Sequence, residues 1–258
     1  MAMKDIIFYH RAYRRVLITD RHIFLEALFL TLPLLIAVGL LYPEITFLMN
    51  RFARYVLLTS LPAADIEIIR KPYIYSSVYV LGLHANYPSV MLSFSLFLFS
   101  LLSISLAPIT KVPRPIVAWV IFLSSINLIS SIFFILSPSI FPYDIEKFSE
   151  FYVKADVSIW LFVPVVMGAT LLFIPSNILV KFSIMVLTLL YSVVFGTMRY
   201  AVFLYILKKF SYLFMPLLFL AFGPLIDFTY MVGIYSLYCS IIARKRNNRA
   251  EIGPWRWL

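Results

Sequence analysis

The sequence predicts an all-α polytopic membrane protein with six transmembrane helices and both termini on the cytoplasmic side. Three observations carry that prediction. Hydrophobic residues make up 62% of the 258 positions and charged residues only 13%, about half the charge of a soluble domain. The apolar residues fall into six runs, each long enough to cross about 30 Å of hydrocarbon as a helix. Lys and Arg gather at the run ends and at both chain ends, where they hold a segment on the cytoplasmic face. No interval between spans is long enough for a separate soluble domain. Residues 23–242 are therefore read as one transmembrane domain of a cytoplasmic (inner) membrane.

Residues 1–22 carry Lys4, Arg11, Arg14, Arg15 and Arg21 around Ile6, Ile7, Phe8, Tyr13, Val16 and Leu17. That spacing describes a basic amphipathic helix lying on anionic lipid headgroups, or equally a basic tail that sets topology. It lacks the small-residue cleavage pattern of a removable signal. Span 1 follows at 23–42, kinked at Pro33 and closed by Pro43. In the external stretch 44–88, Ile45, Leu48, Met49, Phe52 and Val56 share a face opposite Glu44, Arg51 and Arg54, the pattern of an interfacial helix. After Pro62 the chain is rich in β-branched residues and tyrosine. It can pair as a short β-hairpin between spans 1 and 2, with Pro72 breaking any continuous strand. His84 is an external polar candidate. With no second histidine nearby it is read as a hydrogen-bonded interface residue, not a metal ligand.

Span 2 (89–107) returns to a proline-stiffened cytoplasmic turn holding Lys111 and Arg114. Span 3 (116–136) carries Asn127 and four serines, Ser124, Ser125, Ser130 and Ser131, which can hydrogen-bond between helices. The acidic, aromatic loop 138–156 is assigned to the outside, with Asp156 at its end as a second external polar candidate. Span 4 (157–174) has Trp160 near its outer end, as an aromatic belt requires. Span 5 is 183–207; Lys208 and Lys209 then fall outside, against the positive-inside trend. Span 6 is 215–242, with a helix break expected at Gly223-Pro224. The tail 243–258 bears Arg244, Lys245, Arg246 and Arg249 and is read as cytoplasmic, facing anionic headgroups.

One basic and one acidic residue stand deep inside spans. Arg199 interrupts span 5, and Asp227 lies deep in the next run. An ionisable residue inside hydrocarbon is costly and marks a candidate site with a partner to be named. At about 1.5 Å per residue the two differ by about 9 Å in depth, a gap that an arginine side chain and a break at Gly223-Pro224 can close. Two readings follow: a charge pair that locks two helices, or a pair that binds a substrate. In a third, Arg199 snorkels outward and Asp227 is protonated or caps another group.

The rest of the sequence excludes more than it assigns. A lone cysteine, Cys239, rules out an internal disulfide and any multi-cysteine metal or redox motif. No Gly-rich phosphate loop, H-E-x-x-H, G-x-S-x-G or histidine pair within a span is present, so no metal, cofactor or catalytic residue is assigned. The formal charge of +10 follows from topology and needs no nucleic acid.

The segment 155–207 resembles the exosortase and archaeosortase family. Members carry a catalytic Cys at the outer start of one span, an Arg in the outer part of the next, and a His in the one after. Arg199 matches the arginine. Ala155-Asp156 stands where the cysteine belongs, and no histidine follows Arg199 in the next span. The resemblance implies a membrane-embedded transpeptidase scaffold without thiol chemistry, because a carboxylate cannot replace a thiolate in acyl transfer.

Three functions are consistent with this reading. The first is a non-catalytic subunit or scaffold whose charged faces meet protein partners in the membrane. The second is a permease for an anionic solute, lipid or ion using Arg199 and Asp227. The third is an exosortase-like protein lacking the thiol.

Overall fold

A computed structural model describes residues 21–61, 65–172, 174 and 176–248. The basic segment 1–20 and Arg249 lie outside the described residues. Six helical segments are long and apolar enough to cross a membrane, so the chain is an integral membrane protein by length and composition.

The first helix, α1 (Arg21–Ser60), spans 40 residues with Pro33 and Pro43 inside it. The sequence reading ended span 1 at Pro43 and placed a separate interfacial helix after it; the two are one helix. A proline removes one N–H and crowds the preceding turn, yet neighbours can compensate within a packed bundle. Here Tyr42, Thr46, Met49, Asn50, Ala53 and Leu57 form one buried face that continues the helix across Pro43. That face lies against the hairpin and the fourth and fifth helices.

The hairpin pairs β1 (Glu67–Tyr73) antiparallel with β2 (Ser76–Gly82). Pro72 does not break it: it sits inside β1 opposite Ser77. The reason lies in alternation along an antiparallel ladder. Tyr79 N–H donates to Thr46 Oγ1 and Leu81 N–H to Tyr200 Oη, so those groups of β2 point away from β1. Pro72 faces Ser77 in the same phase, where its missing N–H would have pointed to the open edge. The turn places Ile74 at φ 50°, a left-handed conformation that disfavours a β-branched residue.

The second helix, α2 (Val90–Leu106), is capped by Ser89, whose side chain accepts from Leu92 N–H at 3.2 Å. It packs chiefly on α3 (Arg114–Leu136). This pair joins the remaining helices through α3, where Ser130 Oγ donates to the Leu213 carbonyl at 2.7 Å. The serine cluster ties helices together less than expected. Ser125 bonds back to Ile121 of its own helix, and Ser131 is buried with no partner among the described residues.

The fourth helix, α4 (Ile145–Leu172), absorbs much of the region read as an external loop. Asp144 caps it, accepting from Lys147 N–H at 2.8 Å. Its first turns are amphipathic: Ile145, Phe148, Tyr152, Val153 and Asp156 are buried, while Glu150 and Lys154 form an i,i+4 pair on the flank. Charge density suggested a loop; period 3.6 made a helix. The fifth helix, α5 (Ile178–Lys209), is capped by Asn177. The sixth span is two helices, α6 (Met215–Phe222) and α7 (Pro224–Asn248). Gly223 is obligatory at the break, since a Cβ there would lie 2.2 Å from the Phe219 carbonyl oxygen. The backbone of α7 continues through Arg244, Lys245 and Arg246, so those residues extend the last helix and do not begin a separate tail.

Two inter-element seams centre the bundle. Strand β2 wedges between α1 and α4 with Val78, Val80 and Leu81 fully buried. Helices α1 and α4 approach closely at Gly168, where a Cβ would lie 2.2 Å from Thr31 Cγ2.

A buried guanidinium shared by two carboxylates

Arg199 is 6% exposed, Asp156 3% and Asp227 2%. Three helices bring them together. On α4, Tyr152 and Asp156 stand one turn apart on the buried face. On α5, Gly196 and Arg199 lie one turn apart. On α7, Asp227 sits in the first turn, where the helix N-terminus favours an anion.

The guanidinium of Arg199 spends its donors on all of them. Nε donates to Tyr152 Oη at 2.6 Å, and Nη1 to the Gly223 carbonyl at 3.1 Å. Nη2 donates to Asp156 Oδ1 at 3.1 Å and to Asp227 Oδ2 at 2.9 Å. Tyr152 Oη in turn donates to the Gly196 carbonyl at 3.1 Å. The helix break thus supplies an acceptor: the Gly223 carbonyl, held at the start of α7, closes the ring of partners around the cation. Such a planar five-donor group suits several acceptors at fixed angles, which a lysine cannot match.

Asp156 was assigned to the external loop as a polar candidate. It is instead buried inside α4 as the second acid on Arg199. The error traces to the boundary of α4: with the helix starting at 145, position 156 turns inward on the same face as 145, 148 and 152. The depth gap computed for Arg199 and Asp227 closes because the chain breaks at Gly223-Pro224, which lets Asp227 start a new helix beside Arg199.

Helix α7 is stitched to its neighbours by polar contacts in sequence. Below the Asp227 contact, Tyr230 Oη donates to Ser192 Oγ at 2.6 Å. Further along, Tyr238 Oη meets Ser176 Oγ at 2.5 Å. Next to the cluster, the Tyr152 and Tyr200 rings stack with centroids 5.2 Å apart. Tyr200 Oη donates to Asn50 Oδ1 at 3.1 Å while accepting from Leu81 N–H at 3.1 Å. Asn50 Nδ2 also donates to the Tyr79 carbonyl. The charge cluster and the hairpin are therefore connected through one tyrosine stack.

Sequence reasoning did not find Tyr152, Tyr200, Asn50 or Lys181. The signal was present for Asn50, since Tyr42, Thr46 and Asn50 recur every four residues. Lys181 is 3% exposed and donates to Glu26 Oε1 at 2.7 Å, an ion pair between α1 and α5 whose lysine is buried and whose glutamate is partly exposed. The Glu26 partner lies 155 positions away in sequence. His84 has an exposed side chain, and its carbonyl accepts from Lys208 Nζ at 2.6 Å. Arg244 is exposed.

Two surface grooves are lined elsewhere. One of about 690 Å³ runs beside Leu25, Glu26, Phe29, Ser176 and Ile178; another of about 460 Å³ lies between α2 and α3. Neither reaches Arg199. Among the described residues no group of three or more His, Cys, Asp or Glu side chains could hold a metal. Compared with known proteins, the chain matches no family, no curated protein and no solved structure.

Proposed function

We propose that this protein is a non-catalytic subunit or scaffold of a membrane complex. One observation carries the reading. Arg199, the residue best placed for chemistry or transport, is spent on acceptors from its own chain. Four of its donor contacts end on α4, on α7 and at the α6–α7 break. A transport site needs an arginine whose donors are free to meet the cargo from one side. Here the charge joins three helices and holds the hairpin's support in place. The partners are other membrane proteins and anionic headgroups at the basic helix ends. The test is extraction of the full chain in a mild detergent followed by native mass spectrometry. A stoichiometric complex with another protein supports the reading, and a strictly monomeric protein overturns it. Solute flux into proteoliposomes that depends on Arg199 would move the assignment to a permease.

A second reading is favoured by Asp156 alone. The exosortase resemblance sets its cysteine at 155–156 and its arginine at Arg199, and Asp156 hydrogen-bonds Arg199. A scaffold descended from that arrangement would keep the contact after losing the thiol. An Asp156→Cys variant tests it: alkylation by a small thiol reagent that slows in Asp156→Cys/Arg199→Gln supports a retained nucleophile position. Alkylation indifferent to Arg199 argues against it.

A further inference from the structure

The cluster is out of charge balance. Two carboxylates face one guanidinium, and both use the same nitrogen, Nη2, so their contacting oxygens are no more than about 6 Å apart. Fully ionised, the site would hold one net negative charge among buried side chains. An uncompensated charge of that kind costs several kcal/mol and is normally relieved by a proton. The two acids are not equivalent. Asp227 makes the shorter contact with Arg199 and sits in the first turn of α7, where backbone N–H groups favour an anion. Asp156 sits inside α4, away from either helix end. Its Oδ2 is buried with no hydrogen-bond partner among the described residues, and it points into the space left by Gly196, 2.8 Å from where a Cβ would stand.

We infer that Asp156, Arg199 and Asp227 together bind one exchangeable proton, carried on Asp156 Oδ2. Uptake adds one H⁺ to a net charge of −1 and leaves the cluster neutral; release restores the charge. The titratable groups around it are Tyr152 on α4, Arg199 and Tyr200 on α5, and Asp227 and Tyr230 on α7. From α1 and β2, the nearest polar groups are Asn50 and the Leu81 backbone, behind Tyr200, and neither titrates. Tyrosine and arginine hold their protons at neutral pH, so of these groups only the two aspartates can exchange one. Release would weaken the joint of α4, α5 and α7, and with it the hairpin's support. The inference rests on charge count and geometry and holds whether or not the chain is a scaffold.

Infrared spectroscopy of the full chain in lipid nanodiscs tests it, with aspartate carrying ¹³C in the side-chain carboxyl. The wild type is expected to show one protonated-carboxyl C=O band at neutral pH, shifted by the label. Either Asp156→Asn or Asp227→Asn leaves one carboxylate on one guanidinium, so each is expected to abolish the band. Absence of the band in the folded wild type overturns the inference, and so does its persistence in either variant. If a variant does not fold, the labelled wild-type spectrum still decides.

Discussion

Gly196 leaves the space that the Asp156 carboxylate occupies. A Cβ at position 196 would lie 2.8 Å from Asp156 Oδ2 and 3.5 Å from its Cγ. The glycine on α5 and the acid on α4 are thus a matched pair at the centre of the bundle. Gly196→Ala is expected to push the carboxylate off Arg199 and destabilise the protein by about 1–3 kcal/mol. Adding Asp156→Ala should make the second substitution nearly free, a coupling readable from thermal unfolding of the four proteins of the cycle.

Removing the cation should be more damaging than removing either acid. Arg199→Gln leaves the Asp227 carboxylate buried without its counter-charge and Asp156 without its donor, which costs about 3–5 kcal/mol by analogy with broken buried pairs. The triple variant Arg199→Gln/Asp156→Asn/Asp227→Asn is expected to recover most of that loss in detergent melts. Arg199→Gln/Asp227→Asn should recover nearly as much, because Asp156 keeps its proton and adds no charge; recovery that also needs Asp156→Asn would count against that proton.

Tyr200 transmits order from the bundle to the hairpin. Tyr200→Phe removes the hydroxyl that joins Asn50 Oδ1 to Leu81 N–H and leaves both partners buried. A loss of about 1–3 kcal/mol is expected. Hydrogen exchange should locate it: amides of β2 should exchange faster, while those of α2 and α3 stay unchanged.

The α1–α4 crossing depends on one hydrogen atom. Gly168→Ala would put a methyl 2.2 Å from Thr31 Cγ2, with Met185 Cε 3.6 Å away. Thr31 is held by its own bond to the Ala27 carbonyl, so it gives way poorly. Destabilisation of about 1–3 kcal/mol is expected, and Thr31→Ala in the same chain should relieve part of it.

At the rim, Lys71 of β1 meets Glu146 of α4. Its hydrogen bond to Glu146 raises the Lys71 ammonium above the usual lysine range, against a smaller opposing effect of desolvation. A group raised on folding stabilises fully below its unfolded value, and the effect disappears as pH climbs through the folded one. The difference in melting temperature between wild type and Lys71→Met should therefore be constant at neutral pH and shrink only in strongly alkaline buffer. It should be small throughout and smaller in high salt.

Sequence alone determined the class of this protein. The apolar runs, the break at Gly223-Pro224 and the suspicion attached to Arg199 and Asp227 all follow from local properties: hydropathy over twenty residues, a missing N–H, a charge among leucines. Tertiary structure decided the rest. Helix α1 passes Pro43 because a buried face on both sides holds it, and α4 starts twelve residues early because its charged turns have an apolar side that only a neighbour reveals. The identity of the third charge shows the difference most sharply. Asp156 looks like any acid at a loop end until α4 is wound to 145, and then it turns onto Arg199. Pairing in a membrane depends on which faces meet across helices, and residues 43 and 28 positions from Arg199 carry no local mark of that meeting.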